Sequence, residues 1–404
     1  GVVGLDGSIL SHNSVLVASG HVGGFSDPMC DCLLTKERLR ADQVPAQSGM
    51  GFFYTGAAKK DGSWNIEKKY SVLVESEKQA DKARKTAAQY YAQLAGKDAS
   101  YKDMELKGEC METVTDSTMY NPANGSLLTE AREFNLMFKT TIGATSDEND
   151  PNATGWLRPE TAQSIFCQYK NILDSSRVKL PFGIAQIGKS FRNEINPRNF
   201  TFRSREFEQM EIEYFCRPED GLRLVDEWLE HRLCFYDEVG VPREHIHILD
   251  VPDGERAFYS KKTYDLEYEF PFGIQELEGI AYRTDYDLSC HQKGSGRPLE
   301  YFDEETREKF IPHVVEPSAG CDRTILAIIC EAYDEEELVD DKGKKDVRTV
   351  LRFVPRMAPI KAAIFPLLKK NGEQVRIARE IEKTLQPWMS VFYDETGAVG
   401  RRYR

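Results

Sequence analysis

The stretch from Phe191 to Phe215, FRNEINPRNFTFRSREFEQMEIEYF, constrains the fold more than any other part of this sequence. From Thr201 to Tyr214 the residues alternate with the two-residue period of a β-strand. Met210, Ile212 and Tyr214 share one face of this strand. The opposite face carries a polar and aromatic set: Arg205, Phe207, Gln209, Glu211 and Glu213. Such a face is either solvated, with ion pairs to a neighbouring strand, or the floor of a binding site.

The residues before this strand predict its partner in a hairpin. The segment LPFGIAQIGKSFRNEI is typical of a strand on which Arg192 and Glu194 share a face, and the turn INPRNF joins it to the second strand. Arginines on such a face can bind phosphate or carboxylate groups, and the acidic residues can bind an ammonium group or a metal ion. Residue types alone leave both alternatives open, the solvated hairpin and the binding site.

The composition is that of a globular protein with more than one domain. The chain has 404 residues, of which 40% are hydrophobic, and no apolar run reaches the ~18 residues of a membrane span. Only two of the nine cysteines, Cys30 and Cys32, lie close together, so we expect free thiols in a reducing cytoplasm and no zinc site. The net charge of −13 argues against nonspecific coating of nucleic acid, although a local basic patch could still bind a specific one.

The order of predicted elements indicates an α+β fold. Residues 151–355 contain short strands such as KTYDLEYEF and IPHVVEP, which we expect to pair antiparallel, with helices inserted between them. We assign residues 1–355 to this core and interpret about 36–150, which lacks a clear core pattern, as a variable surface insertion. After Pro355 the segments KAAIFPLL, GEQVRIAREIEKTL and SVFYD predict a β-α-β unit. Residues 356–404 are therefore interpreted as the incomplete start of an α/β domain.

A second candidate site lies between Glu316 and Tyr333, in EPSAGCDRTILAIICEAY. The string VVEPS predicts the end of a strand, Ala319-Gly320 a tight turn, and CDRTILAIIC a helix apolar enough to be buried. Arg323 falls in the first turn of this helix, where backbone N–H groups and a guanidinium group together suit an anion. The alternative is that Arg323 pairs with Asp322 or with another acid.

Two further stretches carry weaker signals. In GIQELEGIAYRTDYDL, Glu276 and Glu278 are two residues apart and so should share a strand face, which suits Mg²⁺ bound to phosphate oxygens. In WLRPETAQSIF, Pro159 suits a first helical turn with Glu160 beside it, and capping is the default interpretation. Together the four stretches supply arginines for a polyphosphate, acids for a metal ion and an amine, and an aromatic ring for a base. Those are the requirements for binding ATP beside a small amino compound.

Long strings in these stretches resemble a known family. FRNE followed by R-x-REF is similar to motif 2 of the class II aminoacyl-tRNA synthetases, and G-C-D-R opening a helix is similar to their motif 3. RPETAQ, FGIAQIGKSFRNEI, REFEQMEIEYF, ELEGIAYRTDYDL and EPSAG resemble in particular the dimeric glycyl-tRNA synthetases, over nearly the whole chain. The resemblance implies an antiparallel catalytic sheet, a homodimer and a C-terminal α/β anticodon-binding domain. It also implies glycine, tRNA(Gly) and ATP with Mg²⁺ as ligands.

The resemblance implies roles for individual residues as well. Arg192 would bridge the α-phosphate and the glycine carboxylate, and Arg323 would bind the γ-phosphate end, so these two are the candidate catalytic residues. Glu276 and Glu278 are the candidate Mg²⁺ ligands. The residues implied to contact ATP are Arg192, Asn193, Glu194, Phe202, Arg203, Ser204, Arg205, Glu206, Phe207, Glu276, Leu277, Gly320 and Arg323. The residues implied to contact glycine are Arg40, Glu160, Phe207, Glu208, Gln209, Met210, Glu211, Glu316, Pro317 and Ser318.

The sequence departs from the family pattern at its two ends, and three rival functions have to be weighed. The family begins with a segment containing motif 1, whereas this sequence starts after it, at GVVGLDGSIL, and stops within the last domain, so we interpret it as shortened. The rivals are a non-catalytic nucleic-acid-binding relative, an ATP-dependent ligase that uses no tRNA, and a synthetase for another amino acid. The full set of arginines and acids argues against the first rival, the β-α-β unit against the second, and the strings EPSAG and EFEQME against the third.

Overall fold

The computed structural model describes residues 1–96, 99–143, 150, 153–257, 259–339, 343, 345–398 and 402. Its helices are α1 Asn13–Ala18, α2 His21–Gly24, α3 Ala80–Ala95, α4 Ala162–Ser176, α5 Gly221–Val239, α6 Tyr286–Ser295, α7 Cys321–Ala332 and α8 Gly372–Leu385. Its strands are β1 Val2–Gly4, β2 Leu10–His12, β3 Ser26–Asp31, β4 Arg38–Arg40, β5 Gln47–Tyr54, β6 Gly56–Lys59, β7 Asn65–Ile66, β8 Tyr70–Val74, β9 Met104–Lys107, β10 Cys110–Ser117, β11 Arg132–Asn135, β12 Lys139–Thr141, β13 Thr154–Leu157, β14 Phe182–Phe191, β15 Glu206–Cys216, β16 Ile246–Asp250, β17 Lys262–Phe270, β18 Gly273–Thr284, β19 Tyr301–Phe302, β20 Lys309–Phe310, β21 His313–Gly320, β22 Tyr333–Val339, β23 Lys345–Leu351, β24 Ala362–Ile364 and β25 Val391–Tyr393.

The chain divides into two compact units. The first unit comprises Gly1–Gly7, Thr161–Gly188 and Phe207–Arg404, and the second comprises Ser8–Glu160 and Lys189–Glu206. The predicted boundary at residue 355 does not coincide with this division and stays a prediction.

The first unit is built on a sheet of seven strands in the order β1-β14-β15-β21-β18-β17-β16. Strand β1 pairs parallel with β14, whereas β15, β16, β17, β18 and β21 pair antiparallel. Strands β14 and β15 are hydrogen-bonded neighbours that follow each other in the chain, joined by the loop of residues 192–205, as the hairpin prediction requires. The antiparallel α+β architecture predicted from the sequence is therefore present.

One face of this sheet is covered by helices α4 and α6. Helix α4 buries Ala162, Ile165, Phe166 and Tyr169, which recur at the three-to-four-residue spacing of a helix face. These side chains form a core with apolar residues of β14, β15, β21 and α6. Phe215 of β15 lies at its centre, with its ring centroid 4.7 Å from that of Tyr169. Phe215 is separated from Glu213 and Glu211 by two and four residues along β15, and alternate residues of a strand point to the same face. This core and the acidic face therefore lie on the same side of the sheet.

The predicted hairpin is correct in outline but its strands are shorter than expected. Strand β14 ends at Phe191, so Arg192 and Glu194 lie in the loop rather than on a strand face. The chain turns there because the amide of Glu194 donates to the carbonyl oxygen of Arg192, at 2.7 Å. Strand β15 begins at Glu206 rather than Thr201, which places Arg205 outside it as well.

The second predicted site differs from expectation in two ways. Strand β21 continues to Gly320, which pairs with Gln209, and helix α7 starts at the next residue, so there is no separate tight turn at Ala319-Gly320. In the described part of the chain, helix α7 packs against other elements on one face only. Ile325 and Ile329 are 53% and 40% exposed, which contradicts the prediction of a fully buried helix.

The second unit contains a core of its own, which the sequence pattern did not reveal. Helix α3 packs there on β5 and β8, and the rings of Tyr70 and Tyr90 stack at a centroid distance of 3.9 Å. Tyrosines and alanines form most of this core in place of large aliphatic residues, which explains why a pattern of aliphatic residues did not show it.

The C-terminal β-α-β prediction is confirmed. Strands β24 and β25 pair parallel, and α8 connects them. The side chain of Asn371 caps α8 by accepting hydrogen bonds from the amides of Glu373 and Gln374.

We predict that Gly221→Ala destabilises the first unit. A Cβ atom at residue 221 would lie 2.2 Å from two ring carbons of Tyr282. The Tyr282 ring is fixed because its hydroxyl group bonds His313 Nδ1 at 2.6 Å. The overpacking should lower the free energy of unfolding by about 1–3 kcal/mol in urea titrations. Gly254→Ala, where a Cβ meets nothing within 4 Å, is the matched control; equal stability of the two variants would contradict the prediction.

Candidate active site

The acidic face of β15 forms a buried pocket in the first unit. Gln209, Glu211 and Glu213 are 6%, 2% and 0% exposed, so this face is not solvated. Strand β21 lies next to β15, with Glu211 paired to Ser318, and contributes Glu316. One carboxylate oxygen from each of Glu211, Glu213 and Glu316 lies within 4.8 Å of the others. Of the two alternatives for this strand, the structure favours the binding site.

Hydrogen bonds fix the outer part of this pocket. Gln209 Nε2 donates to Glu211 Oε1 and to Ser318 Oγ, both at 2.9 Å. Ser318 Oγ donates in turn to Glu211 Oε1 at 2.9 Å. The second oxygen of Glu211 accepts from the hydroxyl group of Thr161 at 2.5 Å. Glu211 thus accepts hydrogen bonds from three donors, which fix the position of its carboxyl group.

A buried arginine holds the inner part of the pocket. Arg283, 1% exposed, donates through Nη1 to Glu316 Oε1 at 2.6 Å. Its Nε and Nη2 donate to the two oxygens of Asp287, at 2.7 and 3.0 Å. The guanidinium group also lies 4.1 Å from the ring centroid of Tyr259. Asp287 also accepts a hydrogen bond from Gln163 Nε2, at 3.1 Å.

Glu213 lies between this polar network and the apolar core. Both of its carboxyl oxygens are buried and have no hydrogen-bond partner among the residues that the structure describes. Burial raises the pKa of Glu213 well above its ordinary value, and the neighbouring charges of Glu316 and Glu211 act in the same direction. Arg283 opposes this effect only in part.

The candidate anion site at the start of α7 also lies in the first unit. Arg323 Nη1 donates to the backbone carbonyl of Glu276 at 3.0 Å and lies 3.8 Å from its carboxylate. Asp322 instead accepts from the amide of Glu208, at 2.8 Å. The alternative that Arg323 pairs with an acid therefore holds for Glu276. This contact is partly exposed, so it contributes little to stability.

The two candidate metal ligands do not share an environment, contrary to the prediction. The pairing of β17 with β18 shifts register between Leu266, opposite Glu278, and Glu267, opposite Glu276. This bulge at Leu277 breaks the alternation that places residues i and i+2 on one face. Glu278 is buried and accepts from Arg232 Nε at 2.6 Å, whereas the carboxylate of Glu276 is exposed.

The second unit holds the guanidinium groups of the hairpin loop. Arg192 Nε donates to the carbonyl oxygen of Pro159 at 3.1 Å, and its guanidinium carbon lies 5.4 Å from the ring centroid of Phe25. The carboxylate of Glu194 lies 3.8 Å from Arg203 Nη1. Arg205 Nε donates to the carbonyl oxygen of Glu194 at 3.1 Å. The loop contains four arginines, Arg192, Arg198, Arg203 and Arg205, a local concentration of positive charge in a chain of net charge −13.

Arg40 and Glu160, both predicted to contact glycine, lie in the second unit too. Arg40 is bound by two carboxylates, Asp27 at 2.9 Å and Asp42 at 2.7 Å. Burial raises the pKa of Asp27. Glu160 is 9% exposed, and its Oε1 lies 3.4 Å from His21 Nε2.

The remaining candidates are distributed between the two units. In the second unit Phe202 is buried, Ser204 Oγ donates to the carbonyl oxygen of Glu206 at 2.8 Å, and the amide of Asn193 donates to Leu136. In the first unit Leu277 and Pro317 are buried and Gly320 is half-buried. Phe207 and Met210 are half-buried, whereas Glu208 is exposed.

Comparison with known proteins identifies the family. Residues 138–333 match the family model of the tRNA synthetase class II core domain (G, H, P, S and T). Glycine–tRNA ligase of Rhodopirellula baltica is 45% identical, covering 100% of this chain and 78% of the relative. Those of Clostridium perfringens, 45% identical, and Treponema denticola, 40% identical, cover 100% of this chain and 76% and 74% of the relatives. The chain belongs to the glycine–tRNA ligase family.

Membership of the glycine–tRNA ligase family confirms the resemblance and the class II fold inferred from the sequence. The matched core contains both hairpin strands and the start of α7, the segments that carried the resemblance. In the described part of the chain, no helix combines the length and apolarity needed to cross a bilayer.

Sequence reasoning missed several residues of the glycine–tRNA ligase pocket. Arg283 and Asp287 lie in the stretch GIQELEGIAYRTDYDL, in which only Glu276 and Glu278 were singled out, and Glu213 was placed on the polar face without a role. Arg283 sits at a register shift between β18 and β21, which no local sequence pattern marks. For Glu213 the available indication was its position two residues after Glu211, which places both side chains on the same face of β15.

We predict that Arg283→Met unfolds the pocket because it leaves Glu316 and Asp287 buried without a cation. Removing one partner of a buried ion pair costs about 3–5 kcal/mol. The loss of stability is measured as a fall in the midpoints of urea and thermal unfolding. Arg297→Met, at an exposed arginine of the same unit, should change stability by less than about 0.5 kcal/mol. A variant at residue 283 as stable as this control would rule out the assigned role.

Proposed function

We propose that this chain activates glycine with ATP, forming glycyl-adenylate and pyrophosphate, and then transfers glycine to the terminal adenosine of tRNA(Gly). The observation that supports this most directly is the buried pocket of Glu211, Glu213 and Glu316, whose oxygens lie within 4.8 Å of one another. Such a pocket suits an ammonium group and leaves little room for a side chain beside it. The names of the relatives, glycine–tRNA ligase, agree with this function.

In the first step the glycine carboxylate attacks the α-phosphorus of ATP. A bond forms between a carboxylate oxygen and phosphorus, and the bond to the bridging oxygen breaks and releases pyrophosphate. No general base is needed, because the carboxylate is already ionised at neutral pH. The protein acts by positioning the reactants and neutralising their charge. In the second step a ribose hydroxyl group of tRNA attacks the adenylate carbonyl carbon and expels AMP.

The arginines are assigned to the triphosphate. Arg192 bridges the α-phosphate and the glycine carboxylate, and Arg323 binds the γ-phosphate end. Glu194 accepts from the adenine amino group and Phe207 stacks on the base. Arg192 donates to the backbone carbonyl of Pro159 and Arg323 to that of Glu276, and these hydrogen bonds hold the two side chains in place. An arginine in such a position stabilises charge that develops in the transition state.

Mg²⁺ would accompany ATP as part of the cosubstrate. Of the two carboxylates predicted to bind it, Glu276 fits better, because it is exposed and its contact with Arg323 is 3.8 Å long. Glu278 already accepts a hydrogen bond from Arg232. When bound, Mg²⁺ supplies positive charge to the phosphate oxygens.

Glycine is assigned to the pocket by charge and by exclusion. Glu211, Glu316 and Ser318 surround the ammonium group, with Glu160 assigned to the same role from the resemblance. A hydrophobic pocket separates substrates that differ by one methylene by only about 1–3 kcal/mol. Excluding alanine requires instead that rigid polar side chains occupy the space of its methyl group. The hydrogen bonds that fix Ser318 and Glu211 give this rigidity.

The remaining partners follow from the same reaction. We propose that tRNA(Gly) binds through an anticodon-binding domain that begins near residue 356, that two copies of the chain associate as a homodimer, and that the protein acts in the cytoplasm. The β-α-β unit of β24, α8 and β25 supports the first of these assignments.

The test is glycine-dependent exchange of labelled pyrophosphate into ATP, followed by charging of tRNA(Gly). Arg323→Ala should lower the exchange rate by about 10²–10³-fold, as loss of a transition-state charge contact does. Arg297→Ala, an exposed arginine of the same unit, should leave the rate unchanged. Exchange that depends on another amino acid, or no exchange by the unmodified chain, would refute the proposed function.

We predict that Ser318→Gly loosens discrimination against alanine. The change removes the hydroxyl group that bonds both Gln209 and Glu211, and it opens space beside the carboxylates. The ratio of kcat/KM for glycine to that for alanine, measured by pyrophosphate exchange, should fall by about tenfold. Ser175→Gly, at an exposed serine of α4, is the control. An unchanged ratio at residue 318 would count against this placement of the substrate.

A further inference from the structure

We propose that Glu213 receives the α-ammonium group of the substrate and releases a proton to solvent as it does so, which makes it a further substrate-positioning residue. The inference deepens the function proposed above and rests on it for the identity of the substrate. Glu213 is not among the residues assigned from the resemblance. The argument depends on the geometry of the pocket, on the hydrogen bonds already present there and on the local charge.

The first observation is that Glu213 is fully buried with two unused acceptors. It is 0% exposed, and neither carboxyl oxygen has a hydrogen-bond partner in the described part of the chain. A buried polar group without a partner costs free energy, on the order of 1–3 kcal/mol. Such a group in an otherwise well-bonded pocket indicates a partner that arrives with the ligand.

The second observation is that the spacing fits a tetrahedral ammonium nitrogen. The oxygens of Glu211, Glu213 and Glu316 lie within 4.8 Å of one another. A nitrogen centred among three points no farther apart than this lies no more than about 2.8 Å from each, the length of a charge-assisted N–H···O bond. An ammonium group has three N–H donors, so one can point to each carboxyl group.

The third observation is that the other two acids already have donors. Glu211 accepts from Thr161, Gln209 and Ser318, and Glu316 accepts from Arg283. These bonds hold their oxygens in place and disperse part of their charge. Glu213 is the member of the three whose whole acceptor capacity remains for the ligand.

The charges around Glu213 explain why a proton must move. Facing it are Glu211 on its own strand, Glu316 on β21, Arg283 on β18 and Asp287 on α6. Among these five groups, counting Glu213, four are carboxyl groups and one is a guanidinium group, so negative charge is in excess. Burial, reinforced by Glu316 and Glu211, raises the pKa of Glu213 well above its ordinary value, which favours the protonated form of this carboxyl group.

The arrival of an ammonium group reverses that balance. A positive charge in contact with Glu213 lowers its pKa, because an adjacent opposite charge favours the ionised form. The carboxyl O–H bond breaks, its electron pair stays on oxygen, and the proton leaves to water. The carboxylate then accepts an N–H donor of the ammonium group. No oxidation or other reactant is involved.

The experiment compares Glu213→Gln with the unmodified chain in glycine-dependent pyrophosphate exchange at saturating ATP, from about pH 6 to about pH 9. Below the pKa of Glu213 the unmodified chain must lose a proton to bind glycine, so its kcat/KM for glycine should rise by up to about tenfold per pH unit. The amide of glutamine cannot lose that proton, so the variant should lack this rise. The ratio of the two values should therefore grow from near one at low pH to at least about tenfold at high pH.

Controls separate this role from a purely structural one. Glu269→Gln, at an exposed acid of β17, should keep the pH profile of the unmodified chain. Thermal melting of Glu213→Gln should give a midpoint equal to or above that of the unmodified chain near neutral pH, because the amide is never charged. A variant that lost activity equally at every pH, or that kept the unmodified profile, would overturn the inference.

A second measurement needs no variant. Calorimetric titration of the unmodified chain with glycine in phosphate and in Tris buffers, which differ in ionisation enthalpy, counts the protons released. We expect a release approaching one proton per site below the pKa of Glu213, and no release would overturn the inference. If the unmodified chain shows no glycine-dependent exchange, the proposed function fails; if it does and the proton count is zero, only the role of Glu213 fails.

Discussion

The ion pair network of Arg283 is the interaction on which the pocket depends. Its guanidinium group bonds Glu316 and Asp287, and both acids are nearly inaccessible to solvent. Burying carboxylates without a cation costs several kcal/mol each, so their burial requires this arginine. The register shift at Arg283 removes it from the regular pairing of β18 with β21. A local irregularity of the sheet thus positions a guanidinium group among the charged groups that act on Glu213.

The positive charge of Arg283 balances only part of the negative charge of the acids around Glu213. Glu213 and the acids that act on it, Glu211, Glu316 and Asp287, outnumber the guanidinium group of Arg283, so negative charge is in excess among these buried groups. Natural proteins tolerate such an excess where the ligand removes it, at a cost in the stability of the unliganded state. The polar pocket adjoins the aromatic core around Phe215, which keeps water away from its inner end.

Much of this could be predicted from the sequence, where local pattern decides the outcome. The parity of Gln209, Glu211 and Glu213, the strand Lys262–Phe270 and the C-terminal β-α-β unit all follow from short-range periodicity. The predictions were wrong where pairing between strands that are distant in sequence determines the position of a side chain. The bulge at Leu277 separates the environments of two glutamates that a regular strand would place together. No local signal marks such a register shift, nor the covering of only one face of α7.

Glu211 and Glu213 show why residue type and parity together still do not define a role. Both are glutamates on one face of one strand, and both are buried. What differs is the structure above them: Glu211 accepts from the hydroxyl groups of Thr161 and Ser318, whereas Glu213 lies toward the core and meets no donor among the described residues. Three donors thus fix the carboxyl group of Glu211, whereas burial raises the pKa of Glu213 well above its ordinary value. Two identical side chains two residues apart thus differ in environment because the elements that cover them come from elsewhere in the sequence.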